Sequence, residues 1–288
     1  MEANSRPRKG RIYCFANQKG GVGKTTTAVN LAAYLAAAGY RVLLVDADSQ
    51  ANATSSLGIS KQRDEPSLYD VLEGSVPASE AVVQVDRPIY RSGLYLLPSS
   101  VDLAGIEVEL AGQEQGQREY RLRTALEPLR ADFDFVLIDC PPSLGLLTLN
   151  ALTAADAVII ALQCEYLALE GLMQLTNTIS LVLRGLNKDL YILGIVMTMY
   201  DSRTNLSAQV VQEVKSHFPG QAFETLIPRS VRLSEAPSYG LTILEYDPNS
   251  RGAIAYAALS DELAARSGVT GAVRATEEAR EVSSDAQA

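Results

Sequence analysis

An apolar segment, Ile12 to Ala16, runs into Gln18-Lys19-Gly20-Gly21-Val22-Gly23-Lys24-Thr25-Thr26, and a helix-forming stretch from Thr25 to Ala38 follows at once. Strand, glycine-rich loop and helix in that order open a phosphate-binding α/β fold, because the glycines let successive backbone N–H groups curl around an anion at the positive end of the helix. In the common motif G-x-x-x-x-G-K-[ST], the lysine reaches the β and γ oxygens of a nucleotide and the Ser or Thr hydroxyl holds Mg²⁺. Gly23, Lys24 and Thr25 fill those last positions. The first position departs from the motif: Gln18 stands where Gly is usual, Lys19 follows, and Gly20-Gly21 move the flexibility inward. The loop is a deviant P-loop with a second lysine. Lys19 reads either as a solvated loop side chain or as an added cation that turns a nucleotide site into a question of assembly.

Six short runs rich in Val, Ile or Leu read as strands: Ile12 to Ala16, Val42 to Val45, Tyr95 to Leu97, Phe135 to Ile138, Ala157 to Leu162 and Ile192 to Met197. Continuous apolar runs suit parallel strands covered on both faces. Between them lie helical segments, Thr25 to Ala38 ended by Gly39, Gly145 to Thr153, Leu169 to Leu183, Leu206 to Phe218 and Ser250 to Ala265. The alternation predicts an α/β fold: a doubly wound, mostly parallel sheet with helices on both faces and ligands at the carboxyl ends of the strands. One folding unit is expected over residues 11–267, with a helical excursion plus loops from Lys61 to Arg91. A basic arm at 1–10 precedes it, and a tail at 268–288, rich in Ala, Glu and Ser and without an apolar stripe, is expected to be disordered.

Composition narrows the chemistry. The 288 residues are 47% hydrophobic, enough for a sizeable core. No apolar run approaches the roughly 20 residues of a membrane helix, and Met1 to Gly10 has no apolar h-region, so a cytoplasmic location is expected. Cys14, Cys140 and Cys164 each abut an apolar run, which predicts buried, reduced thiols. The single His217 excludes His-rich zinc chemistry, and no G-x-S-x-G elbow supplies a serine for a Ser-His-Asp mechanism. With 25 basic and 34 acidic side chains the net charge is −9, so any nucleic-acid contact must come from a local patch.

Further segments extend the phosphate chemistry. The second strand runs into Asp46-Ala47-Asp48-Ser49-Gln50, placing two carboxylates at its carboxyl end beside the P-loop. Such a carboxylate orients water for attack on a γ-phosphate, supports the Mg²⁺ shell, or caps the next helix. Phe135 to Ile138 followed by Asp139-Cys140-Pro141-Pro142-Ser143 has the strand-then-Asp form of a Walker B motif, in which Asp139 binds Mg²⁺ through water. Two later loops, Met197 to Leu206 and Ile227 to Pro237, present Arg203, Arg229 and Arg232 amid polar residues. Those arginines suit nucleotide phosphate, nucleic-acid phosphate, or pairing with local carboxylates.

Taken together, Lys19 to Thr26, Asp46-x-Asp48, Asp139 to Ser143, Gln163-Cys164-Glu165-Tyr166 with Leu169-Glu170-Gly171, Met199 to Leu206, and Ile227 to Pro237 resemble the ParA/Soj chromosome- and plasmid-partitioning ATPases. The resemblance spans about Ile12 to Leu263. It implies an ATP-dependent homodimer that sandwiches two ATP molecules, with Lys19 reaching the partner's phosphates. It further implies that Gly20, Gly21, Val22, Gly23 and Thr26 cradle phosphate with Lys24, that Thr25, Asp48 and Asp139 serve the Mg²⁺, and that Asp48 also positions the attacking water. Pro228 and Arg229 fall on the adenine side. Arg203 and Arg232 match arginines that bind double-stranded DNA without sequence preference, which implies a nucleoid-associated protein, and a ParB-type centromere-binding protein is the implied activator of hydrolysis. The chain departs from the family at Ser49, where Pro is usual, and no additional N-terminal helix-turn-helix domain is expected.

Two other readings compete. A MinD-like ATPase would bind membrane through a basic amphipathic C-terminal helix, but residues 268–288 carry Glu277, Glu278, Glu281 and Asp285 with few large apolar side chains, so no membrane partner is expected. A small-molecule kinase or synthetase would use Asp48 to hold substrate instead of water; the late arginine segments favour DNA.

Overall fold

The computed structural model of the chain describes residues 10–60, 65–91 and 93–269. The arm at 1–10 and the tail at 268–288 fall outside the described residues, apart from Gly10, Gly268 and Val269.

In chain order the strands are β1 (Arg11–Ala16), β2 (Val42–Asp46), β3 (Val83–Val85), β4 (Leu94–Leu97), β5 (Phe135–Asp139), β6 (Ala157–Gln163) and β7 (Tyr191–Thr198). Among the described residues they form one sheet in the order β3-β4-β2-β5-β1-β6-β7. All neighbours are parallel except β3, which pairs antiparallel with β4. The helices are α1 (Lys24–Ala37), α2 (Asn52–Ser56), α3 (Leu68–Glu73), α4 (Ala78–Ala81), α5 (Leu103–Ala111), α6 (Arg121–Leu126), α7 (Leu146–Ala154), α8 (Ala168–Gly185), α9 (Asn205–His217), α10 (Val231–Glu235), α11 (Ile243–Tyr246) and α12 (Arg251–Ser267).

Strand pleating divides the core in two. Ile12, Cys14 and Ala16 of β1 join Leu43, Val45, Val136 and Ile138 in one layer, whereas Tyr13 and Phe15 join Val42, Leu44, Phe135 and Leu137 in the other. Because both faces are covered, the strands read as continuous apolar runs. The second layer is closed by α1 and α12. Alanines dominate the buried side of α1, with Ala28, Ala32, Ala33 and Ala36 fully inside, so α12 approaches closely and Tyr256 Oη meets Thr27 Oγ1 at 3.1 Å. The three cysteines are buried and free, as their apolar surroundings predict.

Most element ends fall within two residues of the expected ones. The stretch from Lys61 to Arg91 does hold short helices, α3 and α4, but also β3, which the sequence reading did not anticipate. Three residues, Val83-Gln84-Val85, carry too little alternation to declare a strand; pairing with β4 makes them one. No helix of the described residues is long and apolar enough to cross a membrane.

The β6–β7 register shifts between Val158 and Ile159. Near that shift Gly194 leaves room for Phe223: a Cβ there would lie 2.4 Å from the Phe223 ring and 2.9 Å from the Gln221 carbonyl oxygen. The ring is fully buried and cannot yield, since Arg266 covers it at 4.2 Å. Gly194→Ala should therefore destabilise the fold by about 1–3 kcal/mol, a fall in Tm of about 3–10 °C, measurable by calorimetry; an unchanged Tm would contradict this packing.

Candidate active site

The carboxyl ends of β2, β5, β1 and β6 lie side by side, and the loop after β1 curls over them. Gly21 and Gly23 both adopt left-handed backbone angles, φ 73° and 86°, which open the loop without Cβ strain. Two hydrogen bonds pin it to the neighbouring strands. Thr198 Oγ1 at the end of β7 donates to the Val22 carbonyl at 2.7 Å, and Asn17 Nδ2 donates to the Ala161 carbonyl of β6 at 2.7 Å. Asn17 Oδ1 also accepts the Lys19 N–H at 3.0 Å. Sequence reasoning missed both pins. Asn17 directly precedes the motif and Thr198 sits in the first arginine segment, but only the fold joins positions 176 residues apart.

Lys24, the first residue of α1, is buried, and its Nζ donates to the Lys19 carbonyl at 3.2 Å. Burial lowers its pKa, opposed by the nearby Asp139, Cys140 and Asp48. Asp139 is completely buried, and neither of its carboxylate oxygens has a hydrogen-bond partner of good geometry among the described residues. Burial and the charge of Asp46 push its pKa well up, while the Thr25 hydroxyl and Lys24 act the other way. A buried, unpaired carboxylate is costly. A hard cation beside Thr25 and Asp139 would offset that cost, so the donor set fits Mg²⁺, which characteristically keeps waters and phosphate oxygens in its shell. Among the described residues no group of three or more His, Cys, Asp or Glu is arranged so that it could hold a metal ion without other ligands.

The two carboxylates after β2 diverge. Asp46 accepts from Thr54 N–H at 2.8 Å and Thr54 Oγ1 at 2.7 Å, capping the first turn of α2 from outside, and burial pushes its pKa up to about 6. Of the uses open to these carboxylates, the capping one therefore falls to Asp46. Asp48 is also buried; its Oδ1 accepts the Gln50 N–H at 3.0 Å, and its own N–H reaches Asp46 Oδ1 at 3.3 Å.

Pro228 and Arg229 line a pocket of about 430 Å³ together with Gly23, Thr26, Met199 and Tyr256. It adjoins the start of α1, where a base would extend from the phosphate cradle. Arg229 N–H donates to the Tyr200 carbonyl at 3.1 Å, and Met199 holds a left-handed backbone, φ 52°, at the pocket wall. The remaining cations stand outside this pocket. Lys19 is 54% exposed, and its ammonium pairs with Glu165 just beyond β6. Arg203, 85% exposed, is held by Asp201 through two bonds of 2.9 and 2.7 Å. Arg232 meets Glu235 at 3.1 Å and Asp247 at 3.4 Å, with its guanidinium 5.8 Å from the Tyr246 ring centre.

A deviant P-loop on a doubly wound parallel sheet, with a buried carboxylate beside it and a base-sized pocket beyond, defines a P-loop nucleoside triphosphatase. Residues 10–192 match a family model described as an AAA domain. The chain is 55% identical over 257 residues to chromosome partitioning protein ParA of Myxococcus xanthus, covering 89% of each chain. It is 53% identical over 256 residues to sporulation initiation inhibitor protein Soj of Bacillus subtilis, covering 89% of this chain and 99% of that one. Among solved structures, a Mycobacterium smegmatis protein described as cobyrinic acid a,c-diamide synthase, with bound ADP and magnesium, matches with a TM-score of 0.75 and 44% identity, covering 88% of this chain and 93% of that one. The chain belongs to the ParA/Soj family of chromosome-partitioning ATPases.

Asp139→Asn removes the buried charge and keeps the shape. Without nucleotide or metal the variant should be more stable than wild type by about 1–3 kcal/mol. Because burial holds the folded carboxyl's pKa well above its ordinary value of 3.8, wild-type stability falls as pH rises past that ordinary value while the folded group stays protonated, so the margin should widen on going up from about pH 4. Mg²⁺ should no longer tighten ATP binding. Thermal melts with and without Mg²⁺ and ATP check both; a destabilised apo variant that still responds to Mg²⁺ would contradict the assignment.

Proposed function

We propose that this chain is the ATPase of a DNA-partitioning system, whose ATP-bound homodimer holds duplex DNA non-specifically and is released when a ParB-type partner stimulates hydrolysis. The observation that carries this reading is the exposed second lysine beside a phosphate cradle that a single subunit already completes. Gly20 to Thr26 supply backbone donors and Lys24 the in-chain cation; Thr25 and Asp139 would hold Mg²⁺, which when bound draws charge from the β and γ oxygens. Asp48 would complete the metal surroundings and would orient the attacking water. Pro228 and Arg229 flank the base. Lys19 then serves the nucleotide of the second subunit, stabilising charge on the transferring phosphoryl group as an arginine finger does elsewhere.

Asp48→Ala should leave the cradle intact and lower turnover by at least about a hundred-fold, so that the ATP dimer persists on DNA. Single-turnover hydrolysis and dissociation from duplex DNA measure this. If the variant fails to bind ATP, Asp48 is structural and the assignment of the water is wrong.

Arg203 and Arg232 supply the DNA contact in this reading, within a cytoplasmic protein associated with the nucleoid. Each is exposed and charged, and its local ion pairs are of the exposed, weakly stabilising kind that phosphate can displace. Arg203→Ala and Arg232→Ala should each weaken binding to unrelated duplexes equally, and flatten the log-affinity against log-salt slope by about 0.9 per phosphate lost, about 1.8 for two symmetric copies. ATP binding and dimerisation should be unaffected. Unchanged slopes with a lowered Tm would instead make these arginines loop anchors.

A further inference from the structure

We infer that Glu165 is a positioning residue for Lys19: it holds the ammonium off the phosphate cradle of its own subunit and so reserves that lysine for the nucleotide of a second subunit. The inference rests on the reading that Lys19 acts across a dimer. The stem of Lys19 starts in the cradle wall, since its backbone carbonyl is the acceptor for Lys24 Nζ at 3.2 Å. A flexible four-carbon side chain rooted there is free to swing onto phosphates bound in the same loop. A lysine captured in that way would neutralise its own ATP and leave nothing for a partner. The ammonium instead pairs with Glu165.

Glu165 is held where it can do this. Its N–H donates to the Gln163 carbonyl at 2.9 Å, and the preceding Cys164 N–H donates to the Thr198 carbonyl at 3.0 Å. Thr198 is also the residue whose hydroxyl pins Val22, so the turn carrying Glu165 and the loop carrying Lys19 share one anchor. The pair itself lies at the surface, Lys19 54% and Glu165 28% exposed, and Tyr166 and Leu167 beside it are 83% and 59% exposed. An ion pair that exposed is weak. It suffices to bias where the lysine rests, and it yields when a second copy presents its phosphates.

The test uses the full chain and a slowly hydrolysed ATP analogue with Mg²⁺. In Glu165→Gln, analogue binding by the monomer at high dilution should tighten about two- to five-fold, the range expected for losing an exposed pair. Sedimentation should show dimerisation weakened by about ten-fold, two copies each contributing about three-fold. Glu165→Asp should restore much of the wild-type behaviour. In a Lys19→Ala background the Glu165→Gln change should alter neither quantity. The inference is overturned if Glu165→Gln dimerises at least as well as wild type, if it loses affinity and dimerisation together, or if tightening persists without Lys19. A Lys19→Ala chain that dimerises normally would sink the underlying trans reading itself, whatever Glu165 does.

Discussion

The hydrogen bond from the Thr198 hydroxyl to the Val22 carbonyl, 2.7 Å long, holds the phosphate cradle in shape when no phosphate is there to do so. A loop with left-handed glycines at positions 21 and 23 has many other conformations open to it, and ordering it has an entropic cost. That cost is met by attachment to the ends of β6 and β7 through Ala161 and Thr198. Lys24 opens α1 directly after this loop, and the Cys164 N–H bond to the Thr198 carbonyl at 3.0 Å ties the turn carrying Glu165 to the same strand end. The pocket lined by Pro228 and Arg229 hangs on the same strand, because Ile227 N–H donates to the Met197 carbonyl at 2.9 Å.

Three buried carboxylates converge on this cradle and are kept apart in role by their partners. Asp46 has its charge spoken for by Thr54, and Asp48 by the Gln50 amide. Asp139 has no such bond, and burial alone would keep it protonated. Burial therefore disfavours the charged form of Asp139 in the free protein, at a place where a divalent cation would reverse the penalty. Under the proposed function, stability given up at Asp139 would be returned as affinity toward Mg²⁺, a trade common where a site must be ready before its ligand arrives.

The cations assigned to intermolecular work show the opposite arrangement. Lys19, Arg203 and Arg232 each rest on a carboxylate of the same chain, namely Glu165, Asp201 and Glu235. Asp201 is the clearest case: the bidentate grip of Arg203 holds its carboxyl well below the usual carboxylate range. A carboxylate in that geometry occupies the guanidinium fork as a phosphate would. Such pairs keep an acidic chain of net charge −9 locally neutral and exchange readily for stronger anions.

Most of the fold and much of the candidate site were legible in the residues. Continuous Val, Ile and Leu runs announced six of the seven strands, because burial on both faces leaves no alternation to misread. The P-loop signature pointed to Gly23, Lys24 and Thr25 as candidates, since backbone cradling and metal binding demand those residue types at that spacing. What the tertiary structure decided depends on contacts between distant segments. Only packing against α2 separates Asp46 from Asp48, two residues of one motif. Only the order of β1, β6 and β7 brings Asn17, Glu165 and Thr198 to the same loop, and no local pattern encodes a hydrogen bond across 176 positions. Edge strand β3 exists for the same reason: three residues have no strand character of their own until β4 offers its free edge.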